Sequence, residues 1–218
     1  DLHVDRNDAN HVVIVTGQGG VLETNNGGKT WRVRRWFSEA LTNVLINPFF
    51  SVEMFVVTSS KNLFKTFDGG ENWADLNEGL QKAFASTGEM AGRGSFQPTL
   101  NPFAGVSLGG KFDTLIADPN IFTTLYIGSR VGLFRSTNGG FSWERMSVLI
   151  PPEALPVKSV AVRPGNSSTI FAAAANQVHK SNDGGTNWSV KTLDVNGRIS
   201  KILIHPLKPD LMFIVLGR

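Results

Sequence analysis

The sequence has no cysteine, one tyrosine and a formal net charge of only +3 over 218 residues. Without cysteine, disulfides and thiolate metal sites are excluded. The small net charge gives little electrostatic support for nucleic-acid binding, which we regard as unlikely on this ground. No apolar run approaches the roughly 18 residues that a membrane-spanning helix needs. These absences leave an ordinary globular protein, and the chain is long enough to bury a sizeable core as one domain.

The chain begins with Asp1 and not with Met. This predicts a processed chain or a piece of a longer one, with any targeting signal lying outside it. The composition is 41% hydrophobic and 18% charged, and it includes 23 glycines. Such a glycine content is typical of an all-β protein that is rich in turns.

An eight-residue pattern, Ser/Thr-x-Asp/Asn-x-Gly-x-x-Trp, occurs four times, each time with a Gly-Gly pair. We call each copy an octet; the octets span residues 24–31, 66–73, 136–143 and 181–188. Internal repetition of this kind indicates a repeat architecture. We assign structural roles to the third, fifth and eighth positions of each octet, which are Asn26, Gly28 and Trp31; Asp68, Gly70 and Trp73; Asn138, Gly140 and Trp143; and Asp183, Gly185 and Trp188.

The octet has the chemistry of a hairpin turn. Its Asp or Asn can accept hydrogen bonds from the following backbone amides, and its glycines supply the positive φ that a tight turn needs. The Trp then begins the next strand and buries its ring between neighbouring sheets. A calcium loop is the functional competitor, but the octets have no run of alternating carboxylates with a closing Glu. We therefore predict no metal site and no cofactor.

The segments around each octet repeat as four short apolar strands at a period near 43 residues, which fits the blades of a β-propeller. A β-solenoid would have shorter repeats, and a β-sandwich would not repeat so regularly. The approximate blades are 2–36, 42–80, 112–148, 157–194 and a partial blade at 199–218. An insertion of uncertain order lies at about 82–111. The incomplete fifth blade predicts that the chain is part of a larger ring, because an open blade exposes unpaired strand edges.

The octet resembles the Asp-box, or bacterial neuraminidase repeat. That superfamily comprises β-propellers such as sialidases, xyloglucanase-type glycosidases, sortilin-like receptors and the photosystem II assembly factor of the thylakoid lumen. The resemblance covers essentially the whole chain except the insertion. It implies an all-β propeller of four-stranded antiparallel blades and an extracytoplasmic location (periplasmic, lumenal or secreted). It also implies that ligands bind the face opposite the octets.

On that face we expect the crossovers between blades and the turns between second and third strands to carry function, because binding residues concentrate on loops. The candidate binding residues are Arg34, Arg35 and Trp36 in the first crossover, Arg93 and Phe96 in the insertion, and Arg130 in a turn. Arginines beside aromatic rings can hold an anionic group, a sugar or a peptide. A solvated outer strand is the structural alternative for residues 32–37.

Catalysis has weaker support in the sequence. A sialidase would need an arginine triad and a tyrosine nucleophile. The one tyrosine, Tyr126, lies in an apolar strand, and we expect it to be a core residue. A glycosidase would need two carboxylates across a cleft, for which Asp113, Glu153 and Glu89 are weak candidates. The sequence therefore favours a non-catalytic scaffold that binds a protein partner and that can be a subunit of a larger assembly. The alternative is a carbohydrate-active propeller, either a glycoside hydrolase or a glycan-binding module.

Overall fold

The structure is a computed structural model that describes residues 1–5, 7–85 and 112–217. The chain divides into two compact units, one built from residues 1–81 and the other containing residues 112–217. Nearly all of the regular structure is antiparallel β-sheet. We number the sheets 1 to 5 in chain order.

Sheets 1 and 2 form the first unit, and each has four antiparallel strands in sequence order. Sheet 1 contains β1 (Leu2–Val4), β2 (Val12–Val15), β3 (Gly20–Thr24) and β4 (Arg32–Trp36). Sheet 2 contains β5 (Leu41–Ile46), β6 (Met54–Thr58), β7 (Leu63–Thr66) and β8 (Ala74–Asp75). Val13, Val15 and Val21 of sheet 1 pack with Val44, Ile46, Met54 and Val56 of sheet 2 in a common apolar core.

Sheets 3, 4 and 5 belong to the second unit. Sheet 3 contains β9 (Phe112–Ala117), β10 (Leu125–Ser129), β11 (Gly132–Ser136) and β12 (Glu144–Arg145). Sheet 4 contains β13 (Val157–Arg163), β14 (Asn166–Ala174), β15 (Gln177–Ser181) and β16 (Ser189–Thr192). Sheet 5 has two strands, β17 (Arg198–Ile204) and β18 (Met212–Gly217).

Two apolar cores hold the second unit together. The core between sheets 3 and 4 includes Tyr126, Leu133 and Met146, with Trp188 packed against it. The core between sheets 4 and 5 includes Val178 and Ile202. Tyr126 is 2% exposed, and burial raises the pKa of its hydroxyl. Its ring packs in this apolar core, and its hydroxyl is hydrogen-bonded with Arg135, as expected for a tyrosine with a packing role.

The prediction of an all-β fold with four-stranded antiparallel sheets is confirmed. One element departs from it: helix α1 (Asn77–Ala85) reaches into the start of the predicted insertion. The residues of α1 explain this departure. Glu78 lies in the first turn and Lys82 in the last, where each charge complements the helix dipole. A short 3₁₀ helix, Pro152–Ala154, lies between sheets 3 and 4 along the chain.

Each octet connects the third and fourth strands of its sheet and is held by its own side chains. In the second octet the Thr66 hydroxyl accepts a hydrogen bond from the Gly70 N–H at 2.9 Å and donates one to the Asp68 carboxylate at 2.8 Å. The Asn72 N–H donates to the same carboxylate at 2.9 Å. The other three octets repeat these bonds at 2.8 to 3.0 Å. Both glycines of every octet have positive φ, between 66° and 93°, which other residues adopt only at a steric cost.

Two of the octets are closed by a carboxylate, Asp68 or Asp183. Hydrogen bonds from the backbone N–H and the side-chain amide of Asn72 lower the pKa of Asp68 to about 2. The equivalent bonds from Asn187 lower the pKa of Asp183 to about 2. Since donors around a carboxylate favour its charged form, these two turns are stabilised by ionisation.

We predict that both turns weaken in acid. The pKa of each carboxyl falls on folding from its ordinary value of 3.8 to about 2. The stabilisation is therefore fully present above about pH 4 and is lost as the pH falls through about 2. Thermal unfolding followed by circular dichroism between these pH values measures the effect. The double variant Asp68→Asn, Asp183→Asn should show a flatter dependence, because asparagine already occupies this position in the other two octets. The same pH dependence in variant and parent would contradict this assignment.

Candidate partner-binding face

In each four-stranded sheet, the turn between the second and third strands lies at the end opposite the octet, because successive antiparallel strands reverse direction. The crossover to the next sheet starts at this same end. We call this end of a sheet its crossover face. In the first unit the crossover face contains the turns 16–19 and 59–62 and the crossover 37–40.

Phe37 anchors the first crossover. Its ring centroid lies 5.1 Å from that of Phe64 and 5.4 Å from that of Trp73, with the Trp73 indole nearly perpendicular to it. The Phe37 N–H donates to the carbonyl of Gly19 at 2.8 Å. A Cβ at Gly19 would lie 2.2 Å from the Phe37 carbonyl oxygen, so this approach requires glycine. The crossover is thus a packed segment with a fixed position relative to the turn 16–19.

Arg35 and Trp36 are presented to solvent by this anchor. The Arg35 guanidinium lies over the Phe37 ring, 5.4 Å from its centroid. The Trp36 side chain is 58% exposed, and its indole lies against the backbone of Gly20. Within the residues that the structure describes, no carboxylate forms an ion pair with Arg35. A cation beside an exposed indole, both held by a rigid crossover, is an arrangement that recognises peptides and sugars.

Glu39 fixes the neighbouring turn of sheet 2. Its carboxylate accepts hydrogen bonds from the Ser60 N–H at 3.3 Å and from the Asn62 amide at 3.1 Å. Hydrogen bonds, the largest of them from the Ser60 hydroxyl, hold the pKa of Glu39 below its usual range. This carboxylate therefore stays charged, and it orders the turn beside Arg35 and Trp36.

The structure places Arg34 differently from the expectation that it forms part of the binding surface. It lies where the register between β3 and β4 shifts, between the paired residues Val33 and Arg35. Its Nε donates to the Glu23 carboxylate at 2.7 Å, and its Nη1 lies 3.6 Å from a Glu71 oxygen. Its aliphatic stem lies against Gly70 of the second octet. The Arg34 guanidinium is thus bound to carboxylates of this chain. The exposed candidate pair is Arg35 and Trp36.

Arg34 belongs to a buried charged network that sequence reasoning missed. The Nδ1 atom of His11 lies 3.1 Å from an Asp5 oxygen, and its Nε2 atom lies 3.0 Å from a Glu23 oxygen. Burial tends to raise the pKa of Asp5. The hydrogen bonds from Asn7, His11 and Ser51 outweigh this effect, so the pKa lies below its usual value. The sequence did not indicate this network, because the partners of His11 lie 6 and 12 residues away along the chain. The signal that the sequence offered for this network was Glu23, an acidic residue directly before the first octet.

In the second unit, Arg130 lies exposed in the turn between β10 and β11, as the sequence predicted for its location. The turn is closed by Ser129, whose hydroxyl donates to the Gly132 carbonyl at 3.0 Å and accepts from the Val131 N–H at 3.2 Å. The crossover after sheet 3 is also fixed, because Arg198 donates to the carbonyls of Ala154 and Leu155 at 2.9 Å.

The structure describes two of the three candidate catalytic acids, Asp113 and Glu153. Asp113 accepts a 2.6 Å hydrogen bond from the Lys158 ammonium, so its carboxylate is neutralised by a cation from the adjacent strand β13. A carboxylate that is held in an ion pair is poorly placed to exchange a proton with a substrate. Glu153 is exposed in the 3₁₀ helix.

Three candidates, Glu89, Arg93 and Phe96, lie outside the described residues. Among the residues that are described, no group of three or more His, Asp or Glu side chains is placed to hold a metal ion. In the same part of the chain, no helix has the length and apolar character needed to cross a membrane.

Comparison with protein families matches residues 1–83 to the family described as photosynthesis system II assembly factor YCF48. The match covers less than half of the 218 residues. It includes Arg35 and Trp36. No curated protein matches the chain.

Solved structures of three similar proteins share the fold. An ancestral GH74 enzyme is 17% identical over 96% of this chain, with a TM-score of 0.65. YCF48 bound to D1 peptide is 16% identical over 99%, with a TM-score of 0.58. The GH74 xyloglucanase from Xanthomonas campestris is 14% identical over 99%, with a TM-score of 0.52. This chain spans 28%, 59% and 43% of their respective lengths. At these identities the likeness shows the fold alone.

We predict that Glu23→Gln destabilises the protein by about 3 kcal/mol or more, because it removes the charge that His11 and Arg34 share in a buried network. Glu71→Gln is the matched control. Glu71 also pairs with Arg34 but is 61% exposed, so its loss should cost less than about 1 kcal/mol. Urea unfolding measures both changes. Equal effects of the two substitutions would contradict the central place of Glu23.

Proposed function

We propose that this chain, whose octets and fold resemble those of the Asp-box β-propellers, is a non-catalytic scaffold that binds a protein partner through its crossover face. The observation that carries the proposal is the exposed pair Arg35 and Trp36. An indole that is 58% exposed is costly to leave in water, and tryptophan and arginine are the residues that most often dominate protein interfaces.

The pair is preorganised for binding. Phe37 lies beneath the Arg35 guanidinium, and Gly20 supports the Trp36 ring. Rigid anchors lose little side-chain entropy when a partner arrives, so more of the contact energy appears as affinity. We propose that the partner presents an extended segment with a carboxylate for Arg35 and an apolar side chain for Trp36.

The family comparison supports a peptide as the ligand. The matched residues 1–83 contain the exposed pair, and the YCF48 structure holds a D1 peptide. We propose that this chain likewise takes a peptide segment of another protein and that it does so as a subunit of a larger assembly. Arg130 is a further candidate contact in the second unit, at the crossover face of sheet 3. We also propose an extracytoplasmic location, on the superfamily resemblance.

A carbohydrate-active propeller is the second candidate. The GH74 structures share the fold, and a sugar ring can stack on an exposed indole such as Trp36. The pairing of Asp113 with Lys158 favours glycan binding over hydrolysis within this alternative.

We predict that the chain binds a fluorescein-labelled D1 peptide and that Trp36→Ala weakens the affinity by about tenfold or more, as expected for a central aromatic anchor. Arg35→Ala should weaken it as well, and more strongly at low salt, because the contact is charged. Fluorescence anisotropy measures both effects.

Two exposed residues at the octet ends of the same sheets provide matched controls. Phe50→Ala removes a 67% exposed aromatic ring from sheet 2, and Arg32→Ala removes an exposed arginine from the start of β4. Neither should change the affinity. Absence of peptide binding would contradict this proposal. Binding of xyloglucan oligosaccharides that Trp36→Ala abolishes would favour the carbohydrate-active propeller in its place.

A further inference from the structure

The sequence contains three Asn-Gly dipeptides, at residues 26–27, 138–139 and 196–197. The first two belong to octets, and the third lies in the crossover from sheet 4 to sheet 5. An asparagine before glycine is chemically vulnerable, because glycine has no Cβ to hinder the approach of its backbone nitrogen to the asparagine side chain. Whether each dipeptide reacts then depends on how the fold holds its amide groups.

The asparagine of the first octet is held at each group that would take part in such a reaction. The Asn26 Oδ1 atom accepts hydrogen bonds from the Thr24 hydroxyl at 2.9 Å and from the Thr30 N–H at 3.0 Å. Its Nδ2 atom donates to the Thr30 hydroxyl at 2.8 Å. The nitrogen that would attack, that of Gly27, donates to the Asn10 carbonyl at 3.0 Å. The attacking nitrogen and the amide that it would attack are thus bonded to other partners.

The third octet repeats this protection. The Asn138 Oδ1 atom accepts from the Ser136 hydroxyl at 3.0 Å and from the Ser142 N–H at 2.9 Å, and its Nδ2 atom donates to the Ser142 hydroxyl at 2.8 Å. The Gly139 N–H donates to the Thr123 carbonyl at 2.7 Å. In the two Asp-Gly octets the first glycine likewise donates to a carbonyl of the turn between the first and second strands, at 2.9 Å.

The third dipeptide, Asn196-Gly197, lacks this protection. Within the residues that the structure describes, neither of its residues takes part in a hydrogen bond, and both are exposed. The chain is tethered on either side of it. The Asn176 amide donates to the Leu193 carbonyl at 3.1 Å on one side, and the Ile199 N–H donates to the Ala175 carbonyl at 2.7 Å on the other. The dipeptide is therefore an unbonded span between two fixed points.

The first unit shows that this exposure belongs to the position in the repeat. Leu41 of β5 and Ile199 of β17 are equivalent, because each donates its N–H to a carbonyl in a turn of the preceding sheet and the strand register shifts directly after each. Three residues before them lie Ser38 and Asn196. Ser38 is exposed although sheet 2 has all four strands. The exposure of Asn196 therefore does not depend on how many strands sheet 5 has.

We propose that Asn196 is a site of spontaneous deamidation in the folded protein. The backbone nitrogen of Gly197 loses its proton and forms a bond to the Cγ atom of Asn196, and Nδ2 takes up a proton and leaves as ammonia. The product is a five-membered succinimide ring. Water opens this ring at either carbonyl to give aspartate or isoaspartate. The net reaction exchanges ammonia for water and needs neither an oxidant nor an enzyme.

The product changes the crossover end of sheet 4. Either outcome adds a carboxylate close to Arg198, whose Nη2 atom donates at 2.9 Å to the carbonyls of Ala154 and Leu155. Isoaspartate also routes the backbone through the side chain and lengthens it by one carbon atom between the two tethers. The site does not depend on the partner binding proposed above.

Peptide mapping of the intact chain by mass spectrometry tests the proposal. The folded protein is incubated at mildly alkaline pH, where the attacking amide ionises more readily, and is then digested at acidic pH, which suppresses further reaction. We expect Asn196 to deamidate at least about tenfold faster than Asn26 or Asn138, because the octets must open before they can react. The same chain in urea is the matched control. There the three asparagines, each followed by glycine, should react at similar rates.

Isoaspartate gives a second measurement. An isoaspartyl carboxyl methyltransferase with labelled S-adenosylmethionine reports the amount of isoaspartate in the incubated chain. Asn196→Gln removes the site, because glutamine would have to close a less favourable six-membered ring, and the exposed position should accept the longer side chain. The incubated variant should therefore contain several-fold less isoaspartate than the parent.

Equal deamidation of Asn196 and the two octet asparagines in the folded chain would overturn the proposal. So would an Asn196→Gln variant with as much isoaspartate as the parent. Deamidation of Asn196 in urea but not in the folded chain would also contradict it, because the fold would then protect this dipeptide as well.

Discussion

The hydrogen bond from the second octet glycine to the Ser or Thr hydroxyl four residues earlier is the interaction on which the rest of the structure depends. It recurs in all four octets at 2.8 to 3.0 Å. The bond closes the hairpin between the two outer strands and thereby sets where the octet tryptophan enters. In the second and fourth octets that ring packs against an apolar core shared with the preceding sheet, through Trp73 and Trp188. The expectation of a buried ring is wrong for the first octet, where Trp31 is 41% exposed. A local turn is thus converted into contact between sheets, which explains why an eight-residue pattern can organise a whole chain.

The same constraint separates structural from functional surface. The octets occupy one end of each sheet, so the turns and crossovers at the other end are free to vary. In the first unit these segments hold Arg35 and Trp36 beside a half-buried Phe37. Around the octets, by contrast, charged groups are paired: Glu23 binds His11 and Arg34. Exposure of an anchored cation and indole is therefore the feature that most needs a functional explanation.

The sequence alone predicted the sheets and their turns, because the octets and the apolar strands are local patterns. The superfamily resemblance is confirmed as well. The sequence did not predict which arginine is exposed, because Arg34 and Arg35 are neighbours. Arg34 lies at a register shift between β3 and β4, and its side chain reaches Glu23 from there. Nor did the sequence show the partners of His11, which come from residues 6 and 12 positions away. Long-range side-chain pairing is set by register, and register follows from packing.

Hydrogen–deuterium exchange of the chain with and without D1 peptide tests the central claim most directly, because it maps a bound surface without altering any residue. If the crossover face binds the peptide, exchange should slow in residues 16–20, 35–40 and 59–62, while the octet ends of sheets 1 and 2 should be unchanged. Protection confined to the octets, or no protection in these three segments at saturating peptide, would contradict a binding role for this face.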